Sequence, residues 1–234
     1  MELTLIQKIA VFALPVIFAI TLHEAAHGYV ARYFGDMTAA SQGRITANPL
    51  KHIDPVGTIL VPLVILLTSK LLGGGAILFG WAKPVPVNFG RLRRPKQDML
   101  WVAAAGPGMN FLMAVFWALM IQLGHALGSG FATAPLMLMG AAGVFINVIL
   151  MALNLIPLPP LDGGRIAVSL LPYQAAAKYA RIEPYGLFIL LGLMFTGVLG
   201  FILWPLISLF IGLTAFVTGI EAAQLVGLIQ VVLA

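Results

Sequence analysis

Apolar positions run almost unbroken from Leu5 to Phe34, Val56 to Leu72, Met99 to Leu127, Ala134 to Ile156 and Tyr185 to Leu203, and a last stretch extends from Pro205 to Ala234. A helix rises 1.5 Å per residue and a bilayer's hydrocarbon core is about 30 Å thick, so runs of roughly 20 apolar residues predict membrane-crossing helices. Two shorter stretches read differently. Ile77 to Val87 follows Gly73-Gly74-Gly75 and contains Pro84 and Pro86, while Gly43 to Pro49 shows a short polar and apolar alternation; both suit an extended strand or loop. No internal repeat or low-complexity tract interrupts the pattern.

Composition moves the reading in the same direction. With 61% hydrophobic and 9% charged residues, the 234-residue chain is excluded from the soluble globular class, where about a quarter of residues are charged. It is predicted to be an integral membrane protein with the lipid bilayer as a partner and little length left for a soluble module. The formal charge of +5 does not point to nucleic acid, because the basic residues lie in the loops. Eight of the thirteen Lys and Arg fall between Gly35 and Asp98 and three more between Pro157 and Glu183; none follows Arg181. By the positive-inside tendency these regions face the cytoplasm, and the N-terminus and the 128–133 loop face away. The Val56 to Leu72 segment then makes no net crossing and is expected to be re-entrant or half-embedded, within an insert of about residues 56–90. Lys8 precedes an apolar run without a small-residue cleavage site, so the run is read as a retained helix. The absence of cysteine removes disulfides and thiolate ligands.

Within the first apolar run stands His23-Glu24-Ala25-Ala26-His27. A charged group near mid-bilayer costs roughly 2.5 to 3.5 kcal/mol on insertion scales, which argues for a site at this depth. Residues four apart share a helix face, so both imidazoles can reach one zinc ion while Glu24 holds the water that the ion activates. The alternative is a pair of packing histidines. A catalytic zinc takes three protein ligands and keeps one position open. Asp162 is the candidate third ligand, because the prolines between Asn154 and Gly163 break the helix and the no-net-crossing topology brings the C-terminal ends of the first and fourth segments to one face. Its alternative role is a helix N-cap before Gly163-Gly164. Two carboxylates, Asp162 and Glu24, balance the charge of one Zn²⁺ per chain. Asn154 is a candidate donor to the reaction's oxyanion, or else an interhelical hydrogen-bonding residue. Gly106, Pro107 and Gly108 are assigned to helix packing and Asn110 to tying helices together, with binding of substrate backbone as its alternative. His52 reads as structural, and His125 as lying near the opposite face.

His23 to His27, Ala105-Gly106-Pro107-Gly108-Met109-Asn110 and Asn154 through Gly163 together resemble the site-2 protease family of intramembrane zinc metalloproteases. Gly43 to Gly57 is similar to its small prokaryotic members without a PDZ domain. The apolar pattern itself predicts an all-α polytopic integral membrane protein of five to six apolar helices, with short membrane-associated β-strand or re-entrant elements and C-terminal helices over 185–234. The resemblance, which covers about residues 15–170, implies a three-helix catalytic core (about 5–34, 99–127 and 134–172). It also implies zinc on His23, His27 and Asp162, Glu24 as general base, and cleavage of transmembrane segments of protein substrates near the cytoplasmic side of the cell membrane. Two other functions compete: a zinc or proton transporter and a catalytically silent membrane adaptor. Against the transporter, His125 is the sole titratable side chain between Met99 and Ile156, and after Glu183 Glu221 is the sole carboxylate, so no relay of ligands leads to the far face. The oligomeric state is not legible in the sequence.

Overall fold

A computed structural model of the protein describes residues 3–61, 63–64, 80 and 82–234. Most of the Val56 to Leu72 segment, together with residues 77–79 and 81, lies outside the described residues.

Helix α1 covers Leu5–Tyr33. It starts at a reciprocal capping box, in which Thr4 Oγ1 accepts from the Gln7 N–H and Gln7 Oε1 accepts from the Thr4 N–H. A short turn, α2, covers Thr38–Ser41. Helix α3, Pro95–Ala126, opens on a proline in its first turn, where the missing N–H costs no helical hydrogen bond. Helix α4 covers Thr133–Asn154, followed by α5 (Asp162–Leu170), α6 (Tyr173–Ala180), α7 (Gly186–Phe195), α8 (Val198–Thr218) and α9 (Ala222–Leu233). Four of these, α1, α3, α4 and α8, are long and apolar enough to cross a membrane. Their outward faces carry large apolar side chains such as Leu112, Phe201, Trp204 and Phe216, an arrangement that suits lipid rather than water.

The core is a triangle of α1, α3 and α4. Glycines let α3 and α4 close on each other: a Cβ on Gly143 would lie 2.1 Å from Trp117 Cγ, and one on Gly140 2.7 Å from the Trp117 carbonyl. Contact order along the helices gives their direction. His27 meets Val102 and His23 meets Asn110, so α1 and α3 are antiparallel; Asn110 meets Asn147 and Gly124 meets Met137, so α3 and α4 are antiparallel too. The C-terminal ends of α1 and α4 therefore lie at one end of the bundle, and the 34–94 connection leaves and returns at that end.

Two expectations are corrected. Among the described residues there is no strand: residues 43–48 form a turn and bends, and residues 82–88 are extended without a ladder. Alternation alone makes no strand when the backbone finds side-chain partners, as at Lys83 and Pro84, whose carbonyls accept from Arg44 Nη2. The boundary expected between Leu203 and Pro205 is absent, and Pro205 lies inside α8. The chain breaks instead at Gly197 and Gly219, with φ of 77° and 71°, a left-handed conformation that glycine adopts without steric cost. Four candidate spans lie among the described residues beside the shorter apolar helices α7 and α9, while most of the Val56 to Leu72 segment lies outside them.

Candidate metal centre

His23 and His27 lie one turn apart on the C-terminal half of α1 and point at α3. Each ring has its Nδ1 engaged: His23 Nδ1 donates to Asn110 Oδ1 at 2.6 Å, and His27 Nδ1 donates to the Val102 carbonyl at 2.7 Å. With the proton on Nδ1, both Nε2 atoms present lone pairs. They sit 3.1 Å apart, and Asp162 Oδ2 is 3.3 Å from each. Asp162 Oδ2 is buried and has no hydrogen-bond partner.

Three converging electron-pair donors repel unless a proton or a metal ion lies between them, and two imidazoles with a carboxylate are a donor set that suits a metal. The spacing identifies its size. Tetrahedral ligands at the zinc–nitrogen distance of about 2.0–2.1 Å lie roughly 3.3 Å from one another, and the three observed separations fall close to that value. Among the described residues this is the one group of three or more His, Cys, Asp or Glu side chains placed to hold a metal. The set fits zinc by donor type, donor count and spacing.

Asp162 is the first residue of α5, and the α5 N-terminus has no side-chain capping bond, so the N-cap alternative does not describe it. Its position is fixed by the glycines that follow. A Cβ on Gly163 would lie 2.3 Å from the Leu155 carbonyl oxygen, and one on Gly164 2.3 Å from Pro159 N, so the first turn of α5 presses against the proline-rich loop after α4.

Two participants differ from the sequence assignment. Gly106 was assigned to packing, but a Cβ there would lie 2.4 Å from His27 Nε2 and 2.6 Å from His23 Nε2; its missing side chain is the space the imidazoles occupy. Gly108 faces open space. Asn110, fully buried, does more than tie helices. It accepts from His23, and its Nδ2 donates to Asn147 Oδ1 at 2.9 Å and to the Ala19 carbonyl at 3.3 Å, while Asn147 in turn donates to Gly143 O. This chain fixes the amide's orientation and with it the His23 tautomer. A fully polar residue on an apolar helix was the signal available for it.

A cavity of about 160 Å³ opens beside the three ligands, with Glu24, Val85 and Asn154 in its wall. Glu24 Oε2 accepts the Val85 N–H at 2.7 Å. Asn154 Nδ2 donates to Leu150 O at 2.9 Å, one turn back on its own helix. His52 is buried, its Nε2 3.0 Å from Thr46 O, and His125 pairs with Gln224 at the far end of α3. Outside the spans, Asp36 is fully buried. Burial pushes its carboxyl up, but the Thr38 hydroxyl, the Asn88 and Thr38 N–H groups and the Arg91 charge outweigh this and hold it below the usual range. It thereby anchors the 88–91 turn to the end of α1.

A bundle of apolar helices closing on two imidazoles and a carboxylate defines a helical membrane protein with a metal centre. The chain belongs to peptidase family M50, the site-2 proteases: the family's model matches residues 119–197, and a curated Bacillus subtilis (strain 168) relative is 39% identical over 199 residues. That relative, "Putative zinc metalloprotease YwhC", is matched over 84% of its length and 83% of this chain. A Rip2 protein of Mycolicibacterium smegmatis, similarly named as a zinc metalloprotease, is 28% identical, over 82% of this chain and 70% of its own. No solved structure gives a significant match. Family and relatives support a zinc metalloprotease.

Proposed function

We propose that the protein is an intramembrane endopeptidase that hydrolyses peptide bonds within or near transmembrane segments of other membrane proteins. The observation that carries this reading is the placement of two Nε2 lone pairs and one carboxylate oxygen around a zinc-sized gap, next to a cavity that also holds Glu24. His23, His27 and Asp162 would hold one zinc ion. When bound, zinc supplies a Lewis acid and brings the pKa of a coordinated water towards about 7.

The remaining steps belong to the chain's own groups. Glu24 takes the proton of the attacking water and returns it to the leaving amine nitrogen. Asn154, in the cavity wall, keeps the second hydrogen of its amide for the oxyanion of the substrate carbonyl while the first stays on Leu150 O. Asn110 holds the His23 tautomer. The basic loops at the site's end of the bundle support a reaction near the cytoplasmic face of the cell membrane. The transporter reading has no second ligand cluster among the described residues to support it.

Purified protein should cleave a transmembrane reporter in detergent, lose that cleavage on zinc chelation and regain it when zinc is returned. Fragment masses should map the cut inside or at the edge of the apolar segment. Cleavage that persists in chelator would argue against this function.

A further inference from the structure

Arg44 is only 8% exposed, and among the described residues no carboxylate pairs with it. Its Nη2 instead donates to two successive carbonyls, Lys83 O at 3.0 Å and Pro84 O at 3.2 Å, and its Nε has no hydrogen-bond partner. A guanidinium buried on carbonyl groups alone is costly to desolvate, so its retention asks for a purpose beyond stability.

The Pro84 carbonyl and the Val85 N–H are the two ends of one peptide group. A peptide is planar and trans, with its oxygen and hydrogen on opposite sides. Holding the oxygen on Arg44 therefore aims the hydrogen at what lies across the plane, and that is Glu24 Oε2, 2.7 Å away. Arg44 and Glu24, opposite charges, bracket this peptide, and hydrogen bonds at both ends polarise it in the same sense.

The surroundings keep the peptide from turning. Lys83 N–H donates to the His52 carbonyl at 2.9 Å, and proline rings at Pro84 and Pro86 restrict the backbone on either side of Val85. Gly28, one turn beyond Glu24 on α1, receives both segments: a Cβ there would lie 3.0 Å from Ile45 Cγ1 and 3.1 Å from Val85 Cγ1.

We propose that Arg44 is a positioning residue for hydrolysis, fixing the Glu24 carboxylate towards the cavity through the Pro84–Val85 peptide. The proposal rests on Glu24 being the general base. Arg44 touches neither the substrate nor the metal ligands in this role. Its loss therefore lowers the rate of the chemical step and leaves substrate binding and zinc content in place.

The test uses the full-length, zinc-loaded protein with a transmembrane reporter, comparing wild type, Arg44→Ala, Arg44→Lys and Glu24→Gln. In Arg44→Ala, kcat should fall roughly ten- to a hundredfold, the range that follows from misplacing a reacting group by about 1 Å. KM and zinc content should match wild type. Amide hydrogen exchange at Val85 should be faster in Arg44→Ala, and Arg44→Lys, which restores a donor and the charge, should recover part of both kcat and protection.

A folded, zinc-bound Arg44→Ala protein with wild-type kcat would overturn the proposal, as would a change confined to KM. If Arg44→Ala fails to fold, Arg44→Lys decides: its single ammonium cannot reproduce the guanidinium fork. A lowered kcat at unchanged KM supports the role, and kcat equal to wild type overturns it. Wild-type turnover by Glu24→Gln would remove the general-base reading and this inference with it. An inactive Glu24→Gln beside an unimpaired Arg44→Ala removes this inference alone.

Discussion

Gly106→Ala is expected to weaken zinc binding severely while leaving the helices intact. The added methyl would stand 2.4 Å from His27 Nε2 and 2.6 Å from His23 Nε2, well inside van der Waals contact. Neither ring can retreat cheaply, because His23 is held through Nδ1 by Asn110 and His27 by the Val102 carbonyl. Any relief must come from turning an imidazole off its axis, which takes the lone pair away from the metal. Helix propensity acts in the opposite direction, since alanine is favoured over glycine by about 0.8–1.0 kcal/mol in a helix interior. The signature is thus specific: helicity at or above wild type by circular dichroism, with zinc affinity reduced by on the order of a hundredfold or more. That exceeds the 10- to 100-fold typical of changes to residues outside the ligand set. Competition against a chromophoric chelator measures it, and wild-type affinity in this variant would show that the imidazoles do not hold the ion where the geometry places them.

Asp162→Asn should separate the metal-free from the metal-bound protein. The Asp162 carboxylate oxygen lies 3.3 Å from both Nε2 atoms, so without metal a proton on either imidazole can pair with it. An asparagine amide can donate to the same nitrogens, so one hydrogen bond replaces another and the metal-free protein should change little in stability. Zinc binding, deprived of a negatively charged ligand, should weaken by roughly a hundredfold or more, again judged against the effect of outer residues. Because a ligand that binds only the folded state stabilises it in proportion to the logarithm of its occupancy, the zinc-induced rise in Tm should largely vanish. Thermal unfolding with and without zinc reads both effects. An undiminished zinc-induced rise would move the third ligand elsewhere in the chain.

Part of this centre was legible because it rests on short-range regularities. The 3.6-residue period places His23 and His27 on one face whatever surrounds them, and the loop charges fix which helix ends meet, which singled out Asp162. Gly106 and Asn110 depend on the rotation of α3 against α1, and a helix apolar on nearly every side does not reveal which of its faces meets a neighbour. The C-terminal breaks were missed for a different reason. Pro205 looks like a boundary in water-based rules, yet α8 carries it within a regular span, whereas Gly197 and Gly219 supply the left-handed turns. Gly43 to Pro49 has strand-like alternation, but a strand needs a partner edge, and Arg44 spends its donors on the 83–84 backbone instead. In the sequence that arginine counted only as a loop charge; its burial is a property of the folded chain.

The measurement that bears most directly on the central claim is cleavage of a transmembrane reporter by purified, zinc-loaded wild type and Glu24→Gln in the same detergent, with metal content assayed on the same samples. Glu24 lines the cavity but is not among the three converging ligands, so the substitution should leave about one zinc per chain and eliminate detectable turnover. Equal cleavage by the two proteins, with zinc bound in both, would contradict hydrolysis by this centre.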